Sequence, residues 1–175
     1  MADAPKRSEA IGMAINLEEE GIKFYREAAG RMTDPFAKQM FLSISEDEKR
    51  HKRIFEAMAK EAGVVPADVS QMDQEGPIQR IRQILCEIGR KASQDLDPED
   101  NQVKALDVAL AMEEKAWQFY NAAAEASADS EEKEILRKIA TEENEHYRIL
   151  EDTRLYLTDQ AKWNIKEEKP LIYGG

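Results

Sequence analysis

The sequence predicts an all-α protein, a four-helix bundle assembled from two copies of one helix hairpin. Three observations carry this. Apolar residues recur at helical spacing through four long segments, while Gly and Pro are sparse. A shift of 95 residues lays the first half on the second without a gap: Glu18, Glu19, Phe24 and Tyr25 fall on Glu113, Glu114, Phe119 and Tyr120. The same shift carries Glu48-Lys49-Arg50-His51 onto Glu143-Asn144-Glu145-His146, two Glu-x-x-His motifs that use both histidines of the chain. Internal repetition of this kind constrains a fold before any motif is interpreted.

A first helix is expected over about residues 8–31, with Ile11, Ala14, Ile15, Gly21, Ile22 and Tyr25 at helical spacing. Thr33-Asp34-Pro35 stops it and starts the second, Asp34 as N-cap and Pro35 in the first turn. That second helix, 35–62, is lined by Phe36, Met40, Phe41, Ile44, Phe55 and Met58 and ends at Gly63. So short a turn makes the two helices antiparallel neighbours. Residues 63–97 are punctuated by Pro66, Gly76, Pro77 and Gly89, with one amphipathic helix from Ile78 to Ile88. A crossover of this length is needed when the second and third helices run parallel. Asp97-Pro98 opens the third helix, 98–127, lined by Leu106, Leu110, Trp117 and Tyr120. Asp129 or Ser130 caps the fourth, 130–157. The tail, 158–175, holds Trp163 and Tyr173 and packs either on the bundle or on a partner subunit. Residues 1–175 read as a single domain.

A net charge of −11 argues against nucleic acid and anionic membranes as partners. No apolar run approaches the roughly 20 residues of a membrane span, and the opening residues are polar, so the cytoplasm is expected. One cysteine, Cys86, excludes an intramolecular disulfide and a cysteine-ligated zinc or rubredoxin-type iron site.

Glutamate is abundant, so candidate ligands are chosen by helical phase. Positions 48 and 51 fall on the stripe Phe41, Ile44, Phe55, Met58, and positions 143 and 146 on Leu136, Ile139, Leu150. Glu18 and Glu113 lie on the stripes that end at Tyr25 and Tyr120. Glu19 and Glu114 point about 100° away, and Glu46, Glu142 and Glu145 read as surface charge. A lone Glu-x-x-His is mostly chance, but two in phase, with two more glutamates at the repeat distance, are not. Four carboxylates and two imidazoles in one core layer would raise each other's pKa and cost several kcal/mol each unless cations neutralise them. Hard carboxylates with imidazoles and no thiolate suit iron or manganese. One Glu from each of two helices and Glu-x-x-His from each of the others is the di-iron or di-manganese carboxylate arrangement. Tyr25 and Tyr120 read equally as core tyrosines or as hydrogen-bond partners of the ligand carboxylates. Trp117 reads as plain core.

On Glu18…Tyr25, Glu48-Lys-Arg-His51, Glu113…Tyr120 and Glu143-Asn-Glu-His146, the chain resembles the rubrerythrin branch of the ferritin-like superfamily over roughly residues 8–157. The resemblance implies a ferritin-like bundle holding two Fe ions, with Mn or Zn as substitutes. Glu18 and Glu113 would be ligands from the first and third helices, Glu48 and Glu143 bridging carboxylates, and His51 and His146 terminal ligands. It implies a non-haem di-iron oxidoreductase that reduces H2O2 or O2, the alternatives being a ferroxidase and storage subunit or a non-catalytic metal-binding module. Rubrerythrins receive electrons through a rubredoxin-like domain. The cysteine pairs that domain needs are absent here, so a separate donor such as a rubredoxin-like protein is expected. Ala116 stands where rubrerythrins carry a further glutamate, the side chain that supports their redox-linked ligand exchange. Bacterioferritins place a haem-binding Met where this chain has Lys49, so no haem is expected. A homodimer is expected from base rates.

Overall fold

The computed structural model describes residues 7–63 and 98–168. They form five helices: α1 (Arg7–Arg31), α2 (Pro35–Glu61), α3 (Pro98–Ala126), α4 (Ser130–Thr158) and α5 (Gln160–Glu168). The four long helices stand where their periodicity places them, to within about a residue. The helix expected at Ile78–Ile88, Cys86 and the Asp97 cap lie outside the described residues.

Local chemistry sets the ends. Asp34 adopts extended backbone and its side chain accepts from the Ala37 N–H at 2.9 Å, with Pro35 following where no donor is needed. Gln102 of α3 accepts from both Thr33 and Asp34 N–H at 3.1 Å, so the hairpin turn is tied to the other half of the bundle. Gly63 takes φ +68° just past α2, a left-handed conformation that glycine adopts without strain. Asp129, rather than Ser130, caps α4, accepting from Glu131 and Glu132 N–H.

α1 packs along α2 and α3 along α4, while α1 also meets α3 and α2 meets α4. Side-chain pairs give the directions. Tyr25 reaches Glu113 and Tyr120 reaches Glu18, so α1 and α3 run antiparallel. His51 lies by Glu143 and His146 by Glu48, so α2 and α4 do too. Since α1 and α2 are also antiparallel, α2 and α3 are parallel, as a long crossover requires.

The core has two apolar blocks, one around Phe55, Tyr120, Leu136 and Ile139, the other around Tyr25, Phe41, Leu106 and Leu150. Each fully buried Phe or Leu among them contributes about 1.5–3 kcal/mol of transfer free energy. The carboxylate–imidazole layer lies between these blocks.

Two lining residues are corrected. Trp117 is 41 % exposed and Phe36 56 % exposed. Trp117 follows Ala116 by about 100°, which turns it off the core stripe of α3. Phe36 stands at the start of α2 and meets the edge of Tyr156 at 5.7 Å. In the tail, Asp159 breaks α4 and restarts the chain as α5, accepting from the Lys162 N–H at 3.1 Å. Trp163 of α5 packs edge-on against Tyr156 at 5.2 Å, so this part of the tail sits on the bundle.

Candidate metal centre

α1 and α3 each deliver one glutamate to the middle layer, and α2 and α4 each deliver a glutamate and a histidine one turn apart. All six residues, Glu18, Glu48, His51, Glu113, Glu143 and His146, are buried, none more than 5 % exposed. They form two groups whose ligand atoms lie within 4.8 Å of one another: Glu18, Glu48, His51 and Glu143, and then Glu48, Glu113, Glu143 and His146. Glu48 and Glu143 belong to both.

Each imidazole turns Nδ1 inward. His51 Nδ1 lies 3.1 Å from Glu143 Oε1 and 3.6 Å from Glu18 Oε2; His146 Nδ1 lies 3.3 Å from Glu143 Oε2 and 3.5 Å from Glu48 Oε1. The geometry leaves Glu18 Oε2, Glu48 Oε1, Glu143 Oε1 and His51 Nδ1 buried without a hydrogen bond. Each such atom costs about 1–3 kcal/mol, and more when charged. All four are ligand-type atoms facing one another, so the donor set fits a pair of hard cations.

The electrostatics agree. Burial raises the pKa of Glu48, and the nearby Glu18 charge raises it further. Burial and the Glu143 charge push Glu113 up to about 8. Burial opposes a charge on His51, but the Glu143 and Glu18 carboxylates outweigh it and hold the imidazole up at about 11. His146 is raised too, since Glu113, Glu143 and Glu48 outweigh its burial. Protons thus occupy the layer where cations would otherwise sit.

Tyr25 donates its hydroxyl hydrogen bond to Glu113, and Tyr120 donates to Glu18, each across to the opposite repeat. Burial and the carboxylate charges raise both phenols well above their usual range, which keeps them donors. Of the two readings of these tyrosines, the partner of a carboxylate is the one observed. On the α1–α3 side a cavity of about 20 Å³, lined by Leu17, Gly21, Met112 and Ala116 among others, reaches the carboxylates. It has room for about one water-sized molecule.

Sequence reasoning missed the outer partners of the histidines. Glu142 is not free surface charge. Its Oε2 lies 2.8 Å from His51 Nε2, and its side chain is only 21 % exposed. Asp47, at the equivalent place in the first repeat, puts Oδ2 3.4 Å from His146 Nε2. The available signal was the repeat itself, which sets an acid immediately before each motif glutamate.

Fold and layer together define a carboxylate–histidine metal bundle of the ferritin-like kind. The Rubrerythrin family model matches residues 9–154, and the chain belongs to that family, whose domain is of the di-iron carboxylate type. A solved structure of a hypothetical protein from Pyrococcus furiosus is similar to the chain, with a TM-score of 0.68 and 21 % identity, covering 87 % of this chain and 90 % of that one. At that identity the likeness speaks for the fold alone. No curated protein matches the chain. Among the described residues no helix is long and apolar enough to cross a membrane.

Proposed function

We propose that this protein is a non-haem di-iron oxidoreductase that reduces hydrogen peroxide, with electrons returned by a separate donor of rubredoxin-like type. The observation that carries the reading is the pair of four-residue groups sharing Glu48 and Glu143, with four buried ligand atoms left without partners. Glu18 and His51 would hold one ion, Glu113 and His146 the other, and Glu48 and Glu143 both, with Mn or Zn as substitutes for Fe. Two ferrous ions would supply one electron each, so that 2 Fe(II), H2O2 and two protons give 2 Fe(III) and two waters.

The residues of the chain supply the rest. Tyr25 and Tyr120 fix Glu113 and Glu18 by hydrogen bonds from opposite repeats. The cavity at Gly21 and Ala116 has room for about one water-sized molecule beside the carboxylates, between the two apolar blocks. Of four carboxylates and two neutral imidazoles, the carboxylates would balance the four positive charges of a divalent pair.

The test is stopped-flow oxidation of anaerobic protein loaded with two Fe(II) per chain, mixed with H2O2 or with O2, following near-ultraviolet ferric absorbance. Fast oxidation by peroxide with slow oxidation by O2 is expected. Fast oxidation by O2, followed by uptake of iron beyond two per chain, would instead make the protein a storage ferroxidase.

A further inference from the structure

The two histidines are backed by carboxylates that a single cation joins. Arg50 Nη2 donates to Asp47 Oδ1 at 2.9 Å and to Glu142 Oε2 at 2.7 Å. Asp47 gives its other oxygen to His146 Nε2 at 3.4 Å, while Glu142 gives the same Oε2 to His51 Nε2 at 2.8 Å. A continuous polar chain therefore runs His51, Glu142, Arg50, Asp47, His146 across the α2–α4 face.

The repeat makes this arrangement informative. Asp47 and Glu142 are equivalent positions, and each crosses to the histidine of the other repeat. Arg50 has no such counterpart, because position 145 is an exposed glutamate. One guanidinium therefore serves both halves. Glu142 Oε2 lies between Arg50 Nη2 at 2.7 Å and His51 Nε2 at 2.8 Å, so one carboxylate oxygen joins the cation to the imidazole. Without that cation, Asp47 and Glu142 would be two like charges facing each other across the helix pair. Both would swing toward water, since Asp47 is already 38 % exposed.

We propose that Arg50 is a positioning residue for both imidazoles: bonded to Asp47 and Glu142, it holds the two carboxylates that orient His146 and His51 toward the metal pair. A histidine that ligates through one ring nitrogen is fixed in tautomer and direction by what its other N–H meets, and losing that partner typically costs about 10–100-fold in metal affinity. Loss of Arg50 would release both partners at once. A guanidinium presents its donors in a fixed fork, whereas a lysine at the same place offers a point charge, so Arg50→Lys should restore part of the function.

This inference rests on the metal-centre reading above, and the experiment separates the two. Cobalt(II) titration, followed by its visible absorption, is compared in the wild-type chain, Arg50→Gln, Arg50→Lys and Glu142→Gln. Arg137→Gln, which removes the exposed pair with Glu125, is the control. Arg50→Gln is expected to weaken both cobalt sites about 10–100-fold, Arg50→Lys to recover part of this, and Glu142→Gln to weaken one site more than the other. Arg137→Gln should bind as wild type. In the zinc-loaded proteins the two imidazole Nε2 protons, the only such signals in the chain, should exchange with water at least about tenfold faster in Arg50→Gln. Should wild type fail to bind two cobalt ions, the metal-centre reading falls and this inference with it. Wild type binding two ions while folded Arg50→Gln, or Glu142→Gln if that variant alone folds, binds them with unchanged affinity and proton exchange overturns the inference alone.

Discussion

Replacing Gly21 with alanine should raise the stability of the metal-free protein and lower its affinity for metal. Gly21 lies inside α1, where glycine is about 1 kcal/mol worse than alanine, so the substitution alone should add roughly 2–4 °C to Tm in a chain of this size. The new Cβ, however, would stand 3.1 Å from Glu48 Oε2, tighter than ordinary contact, so the carboxylate must yield by a few tenths of an ångström. Without metal the cost is smaller, because no ion holds the carboxylate and its Oε1 has no hydrogen bond to lose. With both ions in place Glu48 is held from two sides, and turning it off its preferred rotamer costs about 0.5–1.5 kcal/mol, or roughly 2–10-fold in affinity. Calorimetric melting with and without metal, together with cobalt titration, reads both effects. The equivalent position in the second repeat is Ala116, so a Cβ is tolerated there. A metal-free Tm lowered by more than a few degrees would mean that Glu48 is already rigid without ions. Unchanged affinity would mean that Glu48 does not bridge them.

Tyr25→Phe and Tyr120→Phe each leave a buried glutamate without its phenolic donor, at about 1–3 kcal/mol, and each should loosen one metal more than the other; the test is melting plus site-resolved cobalt spectra. The repeat requires the two variants to behave alike, and a large inequality would count against equivalent roles. The metal-free protein should lose stability as pH rises. The native state holds an extra proton on Glu113 between its ordinary 4.5 and about 8, and on His51 between 6.5 and about 11. The stabilisation from charged His51 is therefore full below 6.5 and gone above 11, while the penalty for ionising Glu113 grows from 4.5 to 8. Each proton contributes a slope of roughly 1 kcal/mol per pH unit in its window. Urea denaturation from pH 5 to 9 would show a flat profile if these shifts were absent.

The sequence revealed what depends on one helix at a time. Phase within each helix, doubled by the repeat, picked out Glu18, Glu48, His51, Glu113, Glu143 and His146 from a chain crowded with glutamates, and the fold brings those six together. What it could not reveal depends on how one helix stands against another. Glu142 sits off the stripe of α4 and looks like surface charge until α2 is placed beside it with His51 at the same height. Trp117 and Phe36 failed in the opposite sense. Each has helical spacing to core residues, but the flank it occupies stays largely exposed, and periodicity within a helix does not say which flanks are covered. The caps were legible in part, Asp34 because Pro35 follows it, Asp129 only as one of two options. Gln102 reaching across to the first hairpin turn left no local mark at all.

Proton bookkeeping ties the metal-free fold to the proposed metal centre. In the metal-free layer, His51 and His146 are held as imidazolium, and Glu48 and Glu113 are held protonated by burial and by the negative charges of Glu18 and Glu143. Filled with two divalent ions, the layer would hold four carboxylates and two neutral imidazoles and would be neutral. The two states differ by four protons, one each from His51, His146, Glu48 and Glu113. Binding a metal pair near pH 7 should therefore release on the order of four protons per chain. Isothermal titration in buffers of different ionisation enthalpy measures that number directly, as the slope of observed against buffer enthalpy. A slope near zero would mean that the layer stands deprotonated before metal arrives, leaving four buried negative charges with nothing to balance them. That result would overturn the electrostatic account of the metal-free layer.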